Sequence, residues 1–240
     1  LLNLFCAESG KRIKEGEEFA RVEGFLDKPE TELLVVINRP TSEVSFRKKV
    51  MVNGISRRVV DFIGNLPAVI FYPSDINMVT GSPALRRWHL DLGLVQIDAD
   101  YKKALTSYEQ FLTSRNRVLK RIREGKAKVD ELGYWTDELV KESKAVNGKR
   151  EKFFDFINSL STPLGEFQFE YKPSEISKEK LLETNGREVA AAVTLIGPHR
   201  DDFEILLEGR NMAHFGSRGE QRTATLAFKL AQLEYMAKIL

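Results

Sequence analysis

Phe215-Gly216-Ser217-Arg218-Gly219-Glu220-Gln221-Arg222-Thr223 reads as a polar loop that opens a helix. From Thr223 onward, Leu226, Leu230, Leu233, Ala237 and Leu240 recur at helical spacing and define one apolar face. Gly216 and Gly219 predict a backbone that takes positive φ or lets a ligand approach closely. Ser217 sets a hydroxyl beside the open N–H groups and the positive dipole end of the helix, which is the chemistry of an anion site. The same residues support a second reading. Ser217-x-x-Glu220 is also a capping box, in which each residue satisfies the other's backbone N–H.

A second block stands upstream: Thr194-Leu195-Ile196-Gly197-Pro198-His199-Arg200-Asp201-Asp202-Phe203. Further towards the N-terminus come Asn53-Gly54, Phe62-Ile63-Gly64 and Ile70-Phe71-Tyr72-Pro73-Ser74-Asp75. Between these and the 194–203 block lie Val79-Thr80-Gly81-Ser82-Pro83, Arg86-Arg87, Leu90-Asp91, Tyr101, Tyr108 and Arg115-Asn116. In this order, and over most of residues 45–240, the blocks resemble the bacterial RecF family of DNA replication and repair ATPases. The resemblance implies an α/β fold, an ABC-type and SMC-like ATPase head with an inserted antiparallel helical arm. Residues 1–73 would be the β-rich N-terminal part of the head, 74–162 the arm, and 163–240 the C-terminal part with the signature loop.

In such heads the signature loop of one subunit closes over the γ-phosphate held by its partner. The resemblance therefore implies nucleotide contact in trans for Ser217, Arg218, Gly219, Glu220, Gln221 and Arg222. The family more often carries Gln where this chain has Glu220. Tyr72-Pro73-Ser74-Asp75 corresponds to the loop that reaches Mg²⁺ and the attacking water, with Asp75 as its metal-competent side chain. The plain alternative for Asp75 is a helix N-terminal residue favoured by the dipole. The family's Arg-Arg block is altered around Trp88 and His89, while Asp91 remains. His199 and Arg200 take a supporting place near the active face, against a plain reading of the block as a turn of paired Arg and Asp. ATP and Mg²⁺ follow as implied cofactors. The implied partners are DNA (single-stranded or gapped duplex), a second copy joined by ATP, and mediator proteins of the RecO/RecR type. The implied role is to help load recombinase at single-strand gaps during the SOS response, in the cytoplasm.

Composition bounds these expectations. With 42% hydrophobic and 30% charged residues, the 240-residue chain is globular. Its net charge of +2 means that nucleic-acid contact must come from local clusters. One such cluster is Arg47, Lys48, Lys49, Arg57 and Arg58, flanking Asn53-Gly54. It suits backbone phosphates without sequence preference, or serves as edge-strand protection. A second, of Lys120, Arg121, Arg123, Lys126 and Lys128, reads as a solvated helix end. The single cysteine, Cys6, excludes an internal disulfide and a Cys-rich metal site. With three histidines in all, no metal site is expected. No apolar run approaches the roughly 18–20 residues of a membrane span.

The periodicity predicts strands over 19–25, 33–38, 44–52 and 69–71, with a hairpin at Asn53-Gly54. Two long helical runs over 74–161 predict an antiparallel pair joined at its tips, either projecting as an arm or packed on the core. A strand over 166–171, a helix over 177–193 broken at Asn185-Gly186, a strand over 203–208 and a turn at Gly209-Arg210-Asn211 complete one sheet system.

A nucleotide hydrolase also needs a phosphate cradle of the G-x-x-x-x-G-K-[ST] type. Gly10-Lys11 and Gly148-Lys149 are both followed by Arg, so neither qualifies. The chain opens without Met and stops within a helical pattern, so it is expected to be a fragment whose phosphate loop and acidic metal-binding strand lie elsewhere. On its own it is expected to be inactive. The competing classes are a non-enzymatic nucleic-acid or protein-interaction module, and another SMC-type or Rad50-like ATPase, disfavoured because no heptads are sustained.

Overall fold

Alternating apolar residues build the first sheet. In the computed structural model, which describes residues 13–39 and 47–240, strands β1 (Phe19–Asp27), β2 (Glu30–Asn38), β3 (Arg47–Val52) and β4 (Ile55–Arg57) pair antiparallel in the order β1-β2-β3-β4. Cys6, Gly10-Lys11, the start of the 44–52 strand and the Arg47 side chain lie outside the described residues. Leu33, Val35 and Ile37 of β2 and Val50 of β3 face one way and bury against Ile13 and Phe62. Phe62 comes from the short helix α1 (Val59–Phe62). Asn53 and Gly54 turn β3 into β4 with φ of 50° and 73°, the paired positive values that a two-residue hairpin requires.

The described chain divides into two compact units, one ending at Ala68 and one running from Val69 to Leu240. The expected strand at 69–71 does not form. No second strand pairs with it, and the chain passes instead into a 3₁₀ turn at Pro73–Ile76 and helix α2 (Asn77–Thr80).

In the second unit α3 (Pro83–Leu94) is followed by α4 (Ala99–Arg123) and α5 (Gly133–Asn158). Asp98 starts α4 by accepting from the Tyr101 N–H at 2.9 Å. At about 1.5 Å per residue, α4 and α5 are each close to 40 Å long. Their lower halves bury Tyr101, Tyr108, Phe153, Phe154 and Ile157 in the main core. Near their connection, Val118 and Leu119 of α4 form a separate cluster with Leu132 of the 3₁₀ turn at Val129–Leu132, and Val189 packs against it. The pair is thus rooted in the core, to which α5 also contributes Leu139, Val140 and Val146.

Strands β5 (Phe167–Lys172), β6 (Asp202–Leu207) and β7 (Arg210–Asn211) form a second antiparallel sheet. The single sheet system expected from the sequence is therefore two sheets, because each apolar face has its own cover. Phe169 and Phe203 face α5 and α8 (Arg218–Ile239). Phe228 of α8 stacks on Phe203 with centroids 5.0 Å apart and meets Phe153 edge-on at 6.0 Å. The open edge of β5 is closed by Asn158, whose amide bonds both the N–H and the C=O of Phe169, at 2.8 and 3.0 Å.

Three local expectations change. Helix α6 (Lys178–Ala191) runs straight through Asn185-Gly186, because Leu181, Thr184 and Glu188 are buried along one side and packing overrides propensity. Arg210-Asn211 is a short strand that pairs with β6, not a turn; the turn precedes it at Glu208 and Gly209, both with positive φ. The leucine face of α8 is not its core face. Ala224, Ala227, Phe228, Ala231 and Met236 are buried, whereas Leu230, Leu233 and Leu240 are 37%, 48% and 76% exposed. Small residues let the helix approach the sheet closely, and that decides which side turns inward.

Candidate functional site

The loop before α8 is exposed and built as a capping box. The Ser217 hydroxyl accepts from the Glu220 N–H at 3.3 Å, and the Glu220 carboxylate accepts from the Ser217 N–H at 2.7 Å. These bonds from Ser217 hold the Glu220 carboxyl below its ordinary pKa. Gln221 turns back, its amide donating to the Met212 carbonyl at 3.1 Å. Arg218, Gly219 and Arg222 are exposed. A Cβ at Gly219 would meet nothing nearer than Ser217 Oγ at 3.9 Å, so the backbone there is open to an approaching group. Neither glycine takes the expected positive φ. Gly216, at φ −75°, is glycine because a Cβ would lie 2.7 Å from the carbonyl oxygen of Met212 in α7 (Met212–Phe215).

The upstream block, residues 194–202, is lashed into the protein rather than presented to solvent. Thr194 is bonded by Asn116 and by Arg115. The Leu195 N–H donates to Glu188, and the Gly197 N–H to Ser174. His199 is half-buried. Its Nε2 lies 3.0 Å from the Thr194 carbonyl, so Nε2 carries the proton and Nδ1 accepts from the Tyr108 hydroxyl at 2.6 Å. Burial is the main reason its pKa falls to about 4. A neutral imidazole with both nitrogens engaged is a structural group, not an available acid or base. Arg200 is exposed.

The paired Arg and Asp residues are likewise structural. Arg86 holds Asp202 through two bonds of 2.6 and 2.9 Å, and Arg87 donates to the Asp201 carbonyl at 2.6 Å. Asp91 binds Arg150 at 2.7 Å and also accepts from the Tyr101 hydroxyl. The ordered sequence blocks are thus one another's partners: Tyr101 with Asp91, Tyr108 with His199, Arg115 and Asn116 with Thr194.

Asp75 closes the 3₁₀ turn at 73–76 by accepting from the Tyr72 N–H at 3.2 Å, and lies 3.6 Å from the Lys229 ammonium. Its carboxylate is therefore committed to protein donors, as a helix-start residue would be. Among the described residues no group of three or more His, Cys, Asp and Glu side chains is arranged to hold a metal ion. The described residues therefore do not make a Mg²⁺ site.

The hairpin's basic residues are dispersed. Lys49 faces the side of the sheet opposite Val50, while Lys48 and Arg57 lie on the Val50 side. Arg58 is held by Asp61 through bonds of 2.7 and 3.0 Å. At the arm's tip Arg121 pairs with Glu131 and Lys126 with Glu124. No helix among the described residues is long and apolar enough to cross a membrane.

Of three buried basic residues, only Arg115 stands in one of the blocks quoted from the sequence; Arg150 and Lys229 had no motif to announce them. Arg150 joins Asp91, Asp201 and the Pro198 carbonyl. Arg115 pairs with Glu188 at 2.7 Å, and Lys229 meets Asp75 and His89. Each interrupts an apolar helical stripe, which is the one signal sequence offers for such a group.

No protein-family model matches the chain. Solved structures do. One described as "recombination mediator protein RecF-ATP in RecFOR pathway" superposes at a TM-score of 0.82 with 26% identity, covering 97% of this chain and 67% of its own. A second, with "RecF-ATPrS", gives 0.81 at the same identity and coverage. Together with the capped loop at the head of α8, this match defines the protein as an ABC-type ATPase head. Among curated relatives, the "DNA replication and repair protein RecF" of Herpetosiphon aurantiacus is 40% identical over 207 residues, which is 79% of this chain and 53% of the relative. That of Bacillus cereus (strain G9842) is 33% identical over 92% of this chain and 64% of the relative. The chain belongs to the RecF family, and it spans between about half and two thirds of the length of these relatives.

Proposed function

We propose that this chain supplies the signature half of an ATP-gated DNA-repair clamp. Ser217, Arg218, Gly219, Glu220, Gln221 and Arg222 contact the γ-phosphate of ATP bound to a second copy, and ATP thereby joins two copies on DNA. The observation that carries this reading is the exposed, open loop at the N-terminus of the 22-residue helix α8. There the Ser217 hydroxyl and the positive end of the helix dipole stand on an exposed loop, next to Arg218 and Arg222. The ATP complexes of the structural neighbours support the nucleotide.

In this reading residues 1–73 and 163–240 belong to the head and 74–162 to the arm. Lys48, Lys49 and Arg57 contact DNA phosphates, with Arg47 and Arg58 beside them. Asp75, His199 and Arg200 take supporting places beside the catalytic centre, whose main residues lie elsewhere. Mg²⁺ accompanies ATP and takes its ligands from outside these residues. The protein serves DNA replication and recombinational repair in the cytoplasm during the SOS response. It helps partners of the RecO/RecR type load recombinase at single-stranded or gapped DNA.

The test is Ser217→Arg in the full gene product. ATP binding to the monomer is expected to persist, while ATP-induced dimerisation, read by light scattering, is lost together with hydrolysis and stable DNA binding. A plain capping role makes the opposite forecast: about 1 kcal/mol of stability lost and association unchanged. A mutant that melts early yet still dimerises with ATP overturns the proposal.

A further inference from the structure

The 3₁₀ turn at Val129–Leu132, the first turn of α5 and one side of α6 enclose a groove of about 390 Å³. Leu132 and Leu181, 5% and 2% exposed, make its apolar floor. Val129 and Leu182 also line it, yet they are 46% and 75% exposed. Two large apolar side chains thus stand in water beside a floor of their own kind, which marks a surface for contact.

The polar groups of the groove say what kind of contact. Arg115 is engaged by Glu188, Thr194 and Thr136, and Lys178 meets Asp137 at 2.7 Å. The Asp130 carboxylate has no cation at ion-pair distance among the described residues, so one negative charge is left over. The Asn185 Oδ1 is buried in the groove wall and meets no donor among the described residues. A buried acceptor without a donor is costly, and native structures rarely leave one. Both unmet groups are acceptors. The groove therefore suits a positively charged donor and not a nucleic-acid backbone, which is itself a row of negative acceptors.

Two glycines add a steric observation. Gly133 opens α5 in the groove, and Gly186 follows Asn185 within α6. Glycine is less favourable than alanine inside a helix. Neither residue takes positive φ, and a Cβ at either would meet nothing within 4 Å. Local backbone and internal packing thus give no reason for glycine here. Its remaining use is to let another backbone come close.

We propose that this groove docks an amphipathic helix of a partner protein. An apolar side chain of that helix enters between Val129 and Leu182, its backbone lies against Gly186, and a Lys or Arg one turn away donates to Asp130 and Asn185. The surface is separate from residues 217–222, and the proposal stands without the reading given to them.

The experiment selects displayed random peptides of about 16 residues, long enough for four helical turns, on the immobilised full gene product. Selections on wild type, on Leu182→Asp and on an unrelated protein run in parallel. Wild type is expected to enrich sequences with an apolar residue three or four positions from a Lys or Arg. An enriched peptide, synthesised and titrated, is expected to bind Leu182→Asp at least tenfold more weakly. Asp130→Lys is expected to weaken it at least fivefold and to flatten its salt dependence. Gly186→Leu is expected to weaken it at least tenfold while the melting temperature holds or rises, because leucine is the better helix former. That pairing separates lost docking from lost folding. Enrichment no greater than on the unrelated protein, or equal on Leu182→Asp, overturns the proposal. So do enriched sequences rich in Asp and Glu, or a peptide indifferent to Gly186→Leu. Self-association of wild type, without nucleotide, that Leu182→Asp abolishes would make the occupant a second copy and overturn the partner stated here. Binding of a labelled single-stranded DNA that Leu182→Asp alone abolishes would overturn it in favour of nucleic acid.

Discussion

The Arg150 guanidinium donates to the Asp201 carboxylate at 2.6 Å, with both side chains 1% exposed. Burial by itself would lower the pKa of Arg150; Asp91, Tyr101 and Asp201 outweigh it and hold the guanidinium well above its ordinary value. Asp201 is also bonded by the Ser174 N–H at 2.7 Å and by the Tyr171 hydroxyl. One pair thus ties α5, α3 and β5 to the loop that precedes β6. This is why a block that looks catalytic in the sequence acts as a clamp in the fold.

Truncating Arg150 should therefore be severe. Arg150→Ala leaves Asp201 buried without its charge partner and is expected to cost about 3–5 kcal/mol, measured by urea unfolding. Adding Asp201→Asn to Arg150→Ala should recover part of the loss, since the orphaned charge is then gone. Additive losses in the double mutant would mean the pair is not the unit described.

Gly197 is expected to tolerate no side chain. Its φ is +122°, and a Cβ would lie 2.6 Å from the Tyr108 hydroxyl oxygen and 3.2 Å from Ile176. Gly197→Ala should destabilise by roughly 1–3 kcal/mol from backbone strain alone, with more from the clash. Tyr108→Phe in the same chain would relieve the clash but not the strain, so only partial recovery is expected in a thermal melt.

Acid should weaken the fold before carboxylates protonate. His199 and His89 have folded pKa values of about 4, against 6.5 for the free side chain, chiefly because both are buried. A depressed pKa means that the folded state binds the proton less readily. The stability each contributes is complete above pH 6.5, declines as pH falls and is gone below about pH 4. On the order of 3 kcal/mol per histidine is at stake. His199→Gln should flatten the dependence of melting temperature on pH between 6.5 and 4. A slope equal to that of wild type would show that the imidazole does not titrate in that window.

The hairpin arginines should behave unequally towards DNA. Arg57 is exposed, whereas Arg58 is held by Asp61. Lys49→Ala with Arg57→Ala should flatten the salt dependence of DNA binding by about one unit of slope per phosphate left without its cation, equally for all sequences. Arg58→Ala should change it less. A slope unaltered by the first pair would leave those residues as guards of the sheet edge.

Sequence alone determined the local structure wherever a short-range rule suffices. Asn53-Gly54 fixes its hairpin because few residues accept positive φ twice in succession. Ser217 and Glu220 fix the start of α8 because their side chains reach the free N–H groups three residues apart. The order of the blocks carried the family resemblance. The tertiary structure decided which face of α8 turns inward: the side bearing Ala224, Ala227, Phe228 and Ala231 is buried and the leucine side is not. It also decided that the strands form two sheets, and that Tyr108, Arg115 and Arg150 hold residues 194–202 in place. The contacts of these three residues join pairs separated by between 48 and 91 positions in the chain, and no periodicity along a single segment reports which distant group will stand opposite.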